Sequence, residues 1–582
     1  MKTKMSATLA TLLCLAAPPG WSQVTTYDGA TQLVTIPSVS VGAATFANVT
    51  LKNIGNFVFD LQGATEQKLA SPGVAHYDVN TNVLTLPAVK VGDATFLDVT
   101  LVNVGNFRFN LQNATALPTA ALDEVKAFMA SSDALWASAV PATGELRTSA
   151  NDACYRHDGR NKAWLIADNN TNLAEYQLRD AFAVGRRSTN IQVLALRAST
   201  HADGSARREI DVQYDVEYSD GSSAFNAKQT LISGSSSGTS GCATPQASPA
   251  LRFLGNQQLI AVAARPRNLR DARYSIAAGA AALNPAVQYR REIRFQVTDP
   301  MANSDYVIVT GPGPTGTVAG SVAPFSMKMV SPFLMRASPE FAGKSSNYVN
   351  FKGDDLFRYC AAAGGAVPVL GAADCAGQGA SSDNWGVNSS VANSAADQSF
   401  NNQGWVAGGV YRFDVYKDDG WKTLNGHANK IPVASYFATL DDLPFTFVEL
   451  AGSGASPTAN DRFARIDFGA LSIAGVRDNF ISATPSSMDV TWTAQPTLPG
   501  TRKLALLQNW HYFQGAKTGN AGSAFWPALR NIDFSYPGSS ALALAWPVGA
   551  KPPDMQSKTY TEFVLYYYDR NSRIVQSRVL FQ

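Results

Sequence analysis

The 582-residue sequence is poor in charge and in the residue spacings that build common reaction centres. Charged residues make up 16% of the chain, against about 25% in a typical soluble domain. The five histidines lie far apart, and neither a Cys-x-x-Cys nor a His-Glu-x-x-His motif occurs. These absences argue against a zinc ribbon, a thioredoxin-like redox site and a zinc-protease site. We therefore expect neither a metal ion nor a cofactor.

Long apolar runs are also missing, except at the start of the chain. Lys2 and Lys4 precede an apolar run from Ala7 to Ala17, which is shorter than the roughly 20 residues that span a bilayer. A proline pair ends this run and small residues precede Gln23, so residues 1–22 have the form of a secretory signal peptide. We expect no transmembrane segment in the rest of the chain.

The signal peptide sets the expected location and net charge of the working protein. Its form is bacterial, so we expect the exported chain in the periplasm, at the outer surface or secreted. Without Lys2 and Lys4 the chain carries 45 basic and 45 acidic residues. A protein with no net positive charge lacks the electrostatic footprint for a nucleic-acid backbone, so nucleic acid is not an expected partner.

Four cysteines follow the signal peptide, and exported proteins commonly pair an even number into disulfides. Four cysteines allow three pairings. We predict Cys154–Cys242 and Cys360–Cys375, because each pair then lies within one predicted domain. The second pair would staple a long surface loop, rich in Ala, Gly, Ser and Asn, from Ala361 to Asn402.

A tandem repeat of about 50 residues occupies residues 23–116. Residues 27–65 align with residues 77–115 at an offset of fifty, without gaps, and 23 of the 39 pairs are identical. Apolar and polar residues alternate within each copy, as in half-buried strands, and a Gly-Asn pair marks a turn in each. One copy is too small to bury its own core comfortably, so we expect the two copies to share one.

Residues 120–265 combine helical and strand patterns. Apolar residues recur near helical spacing from Ala120 to Ser138, and alternating strands follow, of which Ile210 to Tyr218 is the clearest. The last strand ends in the phrase Phe-Leu-Gly-Asn-Gln at 253–257. Helices followed by an antiparallel sheet with this ending resemble the nuclear transport factor 2-like superfamily. The resemblance implies a cone-shaped α+β fold, whose members include both enzymes and non-catalytic binding domains.

The remaining residues are rich in strand patterns. We predict a β-sandwich region at 270–450, which contains the disulfide-stapled loop, and a C-terminal β-sandwich at 451–582. Several of its strands and a terminal hairpin resemble immunoglobulin-like or fibronectin-III-like domains. Four arginines between Arg265 and Arg273 indicate a solvated link between domains. The predicted fold class is mainly β and multidomain, with N-terminal tandem β repeats, one α+β domain and C-terminal β-sandwiches.

Two sets of residues are candidates for ligand binding. Exposed tryptophan rings could stack on sugars, and four tryptophans lie beside Gly, Asn, His or Pro, which favours loop positions. A dense polar cluster could line the mouth of the α+β domain. The alternatives are core packing for the tryptophans and a turn beside a disulfide for the cluster. The candidate residues are Trp405, Trp421, Trp510, Trp526, Tyr155, His157 and Asp158, and no catalytic residue is predicted.

These patterns favour a binding role. We predict an exported, modular binding or scaffold protein of a bacterial cell envelope, with a glycan or an envelope protein as partner. Two alternatives remain open: an exported hydrolase or isomerase that uses a pocket in residues 120–265, and a passive surface spacer. An enzyme should show titratable groups with perturbed pKa converging in a deep cleft, whereas a binding protein should show an exposed aromatic or apolar patch.

Overall fold

A computed structural model of the chain shows a mainly β protein built from several sheets, as predicted. The structure describes residues 25–41, 44–67, 75–91, 94–106, 108–173, 176–177, 183–200, 206–219, 223–237, 239, 242, 244–277, 279–314, 325–337, 355–358, 384–422, 425–451, 462–463, 465–468, 470–481, 488–493, 502–514, 516–517, 520–521, 524–534, 542–544, 557–568 and 573–582.

The tandem repeats form one eight-stranded sheet that closes on itself. Its strands are β1 (Thr25–Asp28), β2 (Leu33–Val41), β3 (Ala44–Gly55), β4 (Val58–Gln67), β5 (Ala75–Asp78), β6 (Val83–Val91), β7 (Ala94–Gly105) and β8 (Arg108–Ala116). They follow the order β1-β2-β3-β4-β8-β7-β6-β5, and the additional pairs β1–β6 and β2–β5 close the sheet.

An internal twofold relation between the repeats explains this closure. β4 pairs with β8 through Phe59 and Phe109, which are equivalent positions fifty residues apart. On the other side, the β1–β6 and β2–β5 pairings are equivalent under the same offset. Each repeat thereby covers the strand edges of the other, which would otherwise remain open for pairing. The alternating apolar residues of both copies meet in one core, so the predicted sharing of a core is confirmed.

The next unit, which we call the α+β unit, packs helices against a four-stranded antiparallel sheet. Val125 and Met129 of the first helix share a core with Ile210 and Val212 of the sheet, which is why both segments carry their apolar patterns. The helices are α1 (Thr119–Ala134), α2 (Gly144–Arg147) and α3 (Lys162–Thr171). The strands are β11 (Arg187–Thr200), β12 (Ala206–Glu217), β13 (Ser223–Ser235) and β14 (Ala247–Phe253), with a small hairpin of β9 (Arg156–His157) and β10 (Arg160–Asn161).

The largest unit, which we call the two-sheet unit, consists of two sheets that face each other across one apolar core. The seven-stranded sheet contains, in order, β20 (Asn384–Ser389), β16 (Ala282–Thr298), β15 (Ala261–Tyr274), β31 (Ile574–Phe581), β30 (Ser557–Tyr568), β25 (Arg502–Gln514) and β28 (Ala524–Phe534). The five-stranded sheet contains, in order, β19 (Phe357–Arg358), β18 (Phe325–Val330), β17 (Tyr306–Gly311), β21 (Gly409–Tyr416) and β22 (Ala434–Leu440). Phe295 and Tyr411 join the two sheets, with ring centroids 4.9 Å apart.

Short elements surround these sheets. The helices are α4 (Pro332–Ala337), α5 (Ser394–Asn401), α6 (Phe447–Ala451) and α7 (Ile473–Ile481), and a 3-10 turn spans Asp419–Lys422. The remaining strands are β23 (Arg465–Asp467), β24 (Met488–Thr493), β26 (Ala516–Lys517), β27 (Asn520–Ala521) and β29 (Leu542–Leu544). Within the described ranges, no helix combines the length and the apolar character needed to cross a membrane.

The two-sheet unit does not divide at residue 450, where the sequence analysis places a domain boundary. β31 belongs to the predicted C-terminal sandwich, yet it lies between β15 and β30 and pairs in parallel with β15. The seven-stranded sheet therefore combines strands from both predicted sandwich regions. Local alternation locates a strand but does not identify its distant partner, so this joint sheet has no signature in the sequence.

Two further predictions need correction. The predicted surface loop from Ala361 to Asn402 is wrong in its second half, where β20 and α5 lie; residues 359–383 are outside the described residues. The Asn393 side chain begins α5 by accepting the backbone N–H of Ala396 at 3.0 Å, which is an ordinary helix cap. The arginine-rich segment is not a link, because it lies within β15 in the middle of the seven-stranded sheet.

Candidate binding site

The structure brings the predicted residues Tyr155, His157 and Asp158 into one group. Asn256 Nδ2 donates to Asp158 Oδ1 at 2.7 Å, and the Asp158 backbone N–H donates to Asn256 Oδ1 at 3.0 Å. The Asn256 backbone N–H also donates to His157 Nδ1 at 3.3 Å. These bonds hold the segment that follows Cys154 against the chain that leaves β14.

Burial disfavours the charged forms of Tyr155 and His157. It raises the pKa of the Tyr155 hydroxyl and lowers the pKa of His157, so both side chains are neutral near pH 7. The neutral His157 ring accepts a backbone hydrogen bond at Nδ1, and its Nε2 faces Asp158 Oδ2 at 3.7 Å. Both ring nitrogens thus face neighbouring parts of the chain, and the arrangement stabilises a chain crossing.

The predicted disulfide between Cys154 and Cys242 is confirmed. It joins positions 88 residues apart in sequence, with Cα atoms separated by 5.1 Å. Both cysteines pack against Ile232 and Leu254 of the α+β unit. The second predicted pair, Cys360–Cys375, lies outside the described residues.

Removing the Cys154–Cys242 bond is expected to lower the free energy of unfolding of the α+β unit by about 2–4 kcal/mol, because the bond restricts a long loop in the unfolded chain. The measurement is urea unfolding of a Cys154→Ser/Cys242→Ser variant, together with hydrogen exchange in peptides of the α+β unit. A Cys360→Ser/Cys375→Ser variant serves as the control and should leave hydrogen exchange in the α+β unit unchanged. Free thiols at Cys154 and Cys242 in the native protein would contradict the assignment.

The tryptophans proposed for sugar stacking do not lie in exposed loops. Trp405 is 5% exposed and packs against Trp385, with ring centroids 6.2 Å apart. Trp421 is 4% exposed in the 3-10 turn after β21. Buried rings present no face to a sugar, so core packing describes these two positions. Trp510 and Trp526 belong to the paired strands β25 and β28, and their side chains lie outside the described part of the structure.

A group with perturbed pKa values that the sequence analysis missed lies in the five-stranded sheet. Lys328 Nζ donates to the Gly420 carbonyl at 2.7 Å and lies 4.6 Å from the centre of the Tyr306 ring. The Tyr306 hydroxyl donates to Asp418 Oδ1 at 2.9 Å. Burial lowers the pKa of Lys328 to about 8 and raises the pKa of Tyr306. These contacts tie the sheet to the turn after β21. In the sequence, a lysine within the apolar strand β18 was the feature that could have indicated this group.

A cavity of about 90 Å³ lies inside the closed sheet of the tandem repeats, and residues of both repeats line it. We call it the repeat cavity. Its floor is buried and apolar, and consists of Val34, Phe59, Leu86, Val89, Val99 and Leu101. Its rim is partly exposed and includes Tyr27, Asn53, Phe57, Phe96, Leu111 and Ala114. The sequence gives no sign of this cavity, because each lining residue has the pattern of an ordinary core position and the space arises only when both copies close.

No protein-family model matches this chain, and no curated protein matches it at a significant level. In the described part of the chain, His, Cys, Asp and Glu side chains do not gather in a group that could hold a metal ion. The repeat cavity is lined almost entirely by apolar side chains, so we take it as the candidate site for a small apolar ligand.

Proposed function

We propose that the chain is an exported, modular binding or scaffold protein of a bacterial cell envelope, with a glycan or an envelope protein as its macromolecular partner. The observation that carries the proposal is the way in which the units are built and joined. Each unit has its own apolar core, and buried polar side chains such as Arg252 and Asp397 tie separate chain segments together. Firmly connected β units suit a protein that presents surfaces at fixed positions.

The segment after β14 illustrates such a tie. The Leu259 backbone N–H donates to the Tyr436 hydroxyl at 2.8 Å, which joins this segment to the five-stranded sheet. Asn303 Nδ2 donates to the Leu259 carbonyl at 2.9 Å. Gly255 has a φ of +78°, and a Cβ there would lie 2.0 Å from the Arg156 carbonyl oxygen, so the close approach requires glycine. A connection fixed in this way favours a scaffold over loosely tethered domains.

The Cys154–Cys242 disulfide supports the proposed export. Disulfides form and persist in oxidising environments such as the bacterial periplasm and the cell surface, and are rare in the cytosol. The expected signal peptide at residues 1–22 agrees with that location and lies outside the described residues. The expected signal peptide and the disulfide lie in separate parts of the chain, and both support export.

The finer fold assignments are also proposals. Three helices followed by four antiparallel strands support a cone-shaped, nuclear transport factor 2-like fold for residues 120–265. Two sheets that face each other across one core support immunoglobulin-like or fibronectin-III-like sandwiches for the later residues. The parallel pairing of β15 with β31 departs from the antiparallel pattern of those domains, so the resemblance concerns packing rather than strand order.

The competing functions differ in the role they give to the α+β unit. An exported hydrolase or isomerase would use the open cleft of about 540 Å³ beside α1, which Glu124 and Phe128 help to line. Arg208 Nη2 donates to both carboxylate oxygens of Glu124, so this acid is held in an ion pair. That contact favours a structural role for Glu124. A passive spacer would bind no partner at all.

Capture experiments test the proposed function. The purified chain, immobilised through a tag, should retain a component of envelope fractions or of a glycan panel in a saturable manner, and excess untagged chain should compete for it. A heat-unfolded sample of the same chain is the control, and it should retain no component that excess untagged chain displaces. Capture that neither saturates nor competes would refute the binding role and favour the passive spacer.

A further inference from the structure

We propose that the repeat cavity binds the alkyl end of a small neutral amphiphile, whose hydroxyl or carbonyl group hydrogen-bonds at the rim. This inference goes beyond the proposed function, because it concerns a small molecule bound inside the tandem repeats and not a macromolecular partner. It rests on the shape and chemistry of the cavity, on one hydroxyl group at its rim, and on a strained residue that lines it.

The cavity has the size and lining of an apolar site. A closed sheet of about eight strands encloses a space that side chains fill or that holds one small ligand. At about 90 Å³ the repeat cavity could hold several waters, but its floor of Val, Leu and Phe side chains gives them no hydrogen-bond partner. An engineered apolar cavity of roughly 150 Å³ in another protein binds benzene. The repeat cavity is smaller, so it suits the last few carbons of a chain.

The rim includes a tyrosine hydroxyl whose hydrogen bonds differ from those of the equivalent tyrosine in the other repeat. In the second repeat, the Tyr77 hydroxyl accepts from Asn103 Nδ2 at 2.9 Å and donates to Asn82 Oδ1 at 3.0 Å. In the first repeat, the Tyr27 hydroxyl accepts from Asn53 Nδ2 at 3.3 Å. Gln32 replaces Asn82 at the equivalent position, and among the described residues no acceptor takes the Tyr27 hydroxyl proton.

The Tyr27 hydroxyl therefore has a proton to donate at the rim of the cavity. A ligand that reaches it needs an accepting oxygen, as in a hydroxyl or a carbonyl group. The residues that line the cavity carry no positive charge, so a carboxylate would lose its hydration there without an ion-pair partner. The chemistry of the rim thus favours a neutral head group over an anionic one.

Phe57 is the strained residue of the lining. It has a φ of +58° and follows Asn56, with a φ of +50°, in the turn between β3 and β4. A bulky residue in this left-handed region costs of order 1–3 kcal/mol and persists only where the surrounding structure holds it. Glycine would satisfy the turn without that cost. Phenylalanine instead places an aromatic ring against the core and along the rim of the cavity.

Titration of the purified full chain with 1-octanol, followed by isothermal titration calorimetry at two temperatures, tests the proposal. We expect saturable binding of one molecule per chain with a negative heat-capacity change, as burial of apolar surface requires. Sodium octanoate, the anionic probe of equal length, should bind at least about tenfold more weakly, because the site offers no cation. Absence of saturable binding of 1-octanol would overturn the proposal.

Matched variants from the two repeats locate the site. Ala114→Leu should weaken 1-octanol binding by about tenfold or more, because the added carbons occupy the cavity, while Ala64→Leu at the equivalent exposed position should not. Tyr27→Phe should weaken binding by about 3–10-fold through loss of one hydrogen bond, while Tyr77→Phe should leave it unchanged. Equal binding by all four variants would overturn the assignment to the repeat cavity.

Phe57→Gly separates binding from folding. This change relieves the turn but removes a partly buried ring, so the tandem repeats should stay folded with a net loss of no more than about 1–2 kcal/mol, while 1-octanol binding falls by several-fold through loss of the rim ring. A purely structural role for Phe57 predicts unchanged binding, and that result would contradict the proposal. These titrations use a pure probe, so a negative result would refute the small-molecule site without bearing on capture of an envelope partner. Likewise, a negative capture experiment would refute the proposed function without bearing on 1-octanol binding.

Discussion

Replacement of Asp152 by alanine is expected to lower the free energy of unfolding of the α+β unit by about 3–5 kcal/mol, because it leaves a buried arginine without its counter-charge. The Asp152 side chain is fully buried, and the Arg252 side chain is 8% exposed. Arg252 Nε donates to Asp152 Oδ2 at 2.6 Å, and the Cys154 backbone N–H donates to Asp152 Oδ1 at 2.7 Å. The remaining donors of Arg252 go to carbonyls, among them that of Gly234 at 2.9 Å.

Hydrogen exchange measured on peptides around residues 150–154 and 247–254 is the suitable readout, because it reports this unit separately from the others. Exchange should accelerate by a factor of about 10²–10⁴ in Asp152→Ala, since each 1.4 kcal/mol is about tenfold. An Asp152→Ala/Arg252→Met variant should recover part of the loss, because it removes the orphaned charge as well.

The matched control is Glu217→Ala, which breaks an ion pair in the same unit. Arg187 Nη2 lies 2.7 Å from Glu217 Oε2, but both side chains are largely exposed. Exposed pairs of this kind contribute about 0–1 kcal/mol. Similar losses for Asp152→Ala and Glu217→Ala would contradict the view that burial makes the first pair important.

The second large effect is expected for Asp397→Ala, which should cost about 3–5 kcal/mol in the two-sheet unit for a related reason. Asp397, in α5, accepts from Arg291 Nη1 at 2.6 Å and from the Phe447 backbone N–H, at the start of α6, at 2.8 Å. Arg291 is among the largest fully buried side chains described, and its guanidinium carbon lies 4.4 Å from the centre of the Phe400 ring. Loss of Asp397 therefore leaves a buried charge unpaired and detaches two helices from the sheet.

Arg290→Ala is the control for this second change. Arg290 neighbours Arg291 on the opposite face of β16, is more exposed, and contacts Asn388 Oδ1 at 2.9 Å and the Glu292 carboxylate at 3.6 Å. Because the buried Glu292 carboxylate keeps its closer partner, Arg267 Nη1 at 2.9 Å, we expect a smaller loss of about 1 kcal/mol. Thermal unfolding, with hydrogen exchange of α5 and α6, distinguishes the two variants. A loss in Asp397→Ala no greater than that in Arg290→Ala would refute the proposed tie.

The contrast between these buried pairs and the predicted sites shows where sequence reasoning succeeds. The tandem repeat was predictable, because a gapless offset and alternating residues report local structure directly, and the shared core follows from the small size of each copy. The Cys154–Cys242 pair was also predictable, since it required only that a disulfide stay within one unit. Both inferences depend on short-range pattern or on simple counting.

The candidate site was harder to predict, for a physical reason. Trp405 and Trp421 have neighbours typical of loops, yet both side chains are buried, and Trp405 packs in the core between the two sheets. The repeat cavity depends on small differences in volume between residues that all read as core. The asymmetry at Tyr27 arises from a single change, Gln32 in place of Asn82, whose effect appears only when side-chain geometry is known. Such features depend on contacts between distant parts of the chain, which periodicity does not encode.

The position of β31 has a consequence for how the protein reaches its native state. This strand lies in the middle of the seven-stranded sheet, and the Arg578–Asp271 pair that accompanies it joins residues 307 positions apart. At about 5–20 residues per second, a ribosome needs roughly 15–60 s to make the intervening chain. During that interval the long hairpin of β15 and β16 has an open edge in need of protection against pairing with other chains. The β15 edge can therefore close only after β31 has been made, so the seven-stranded sheet cannot be complete before that point.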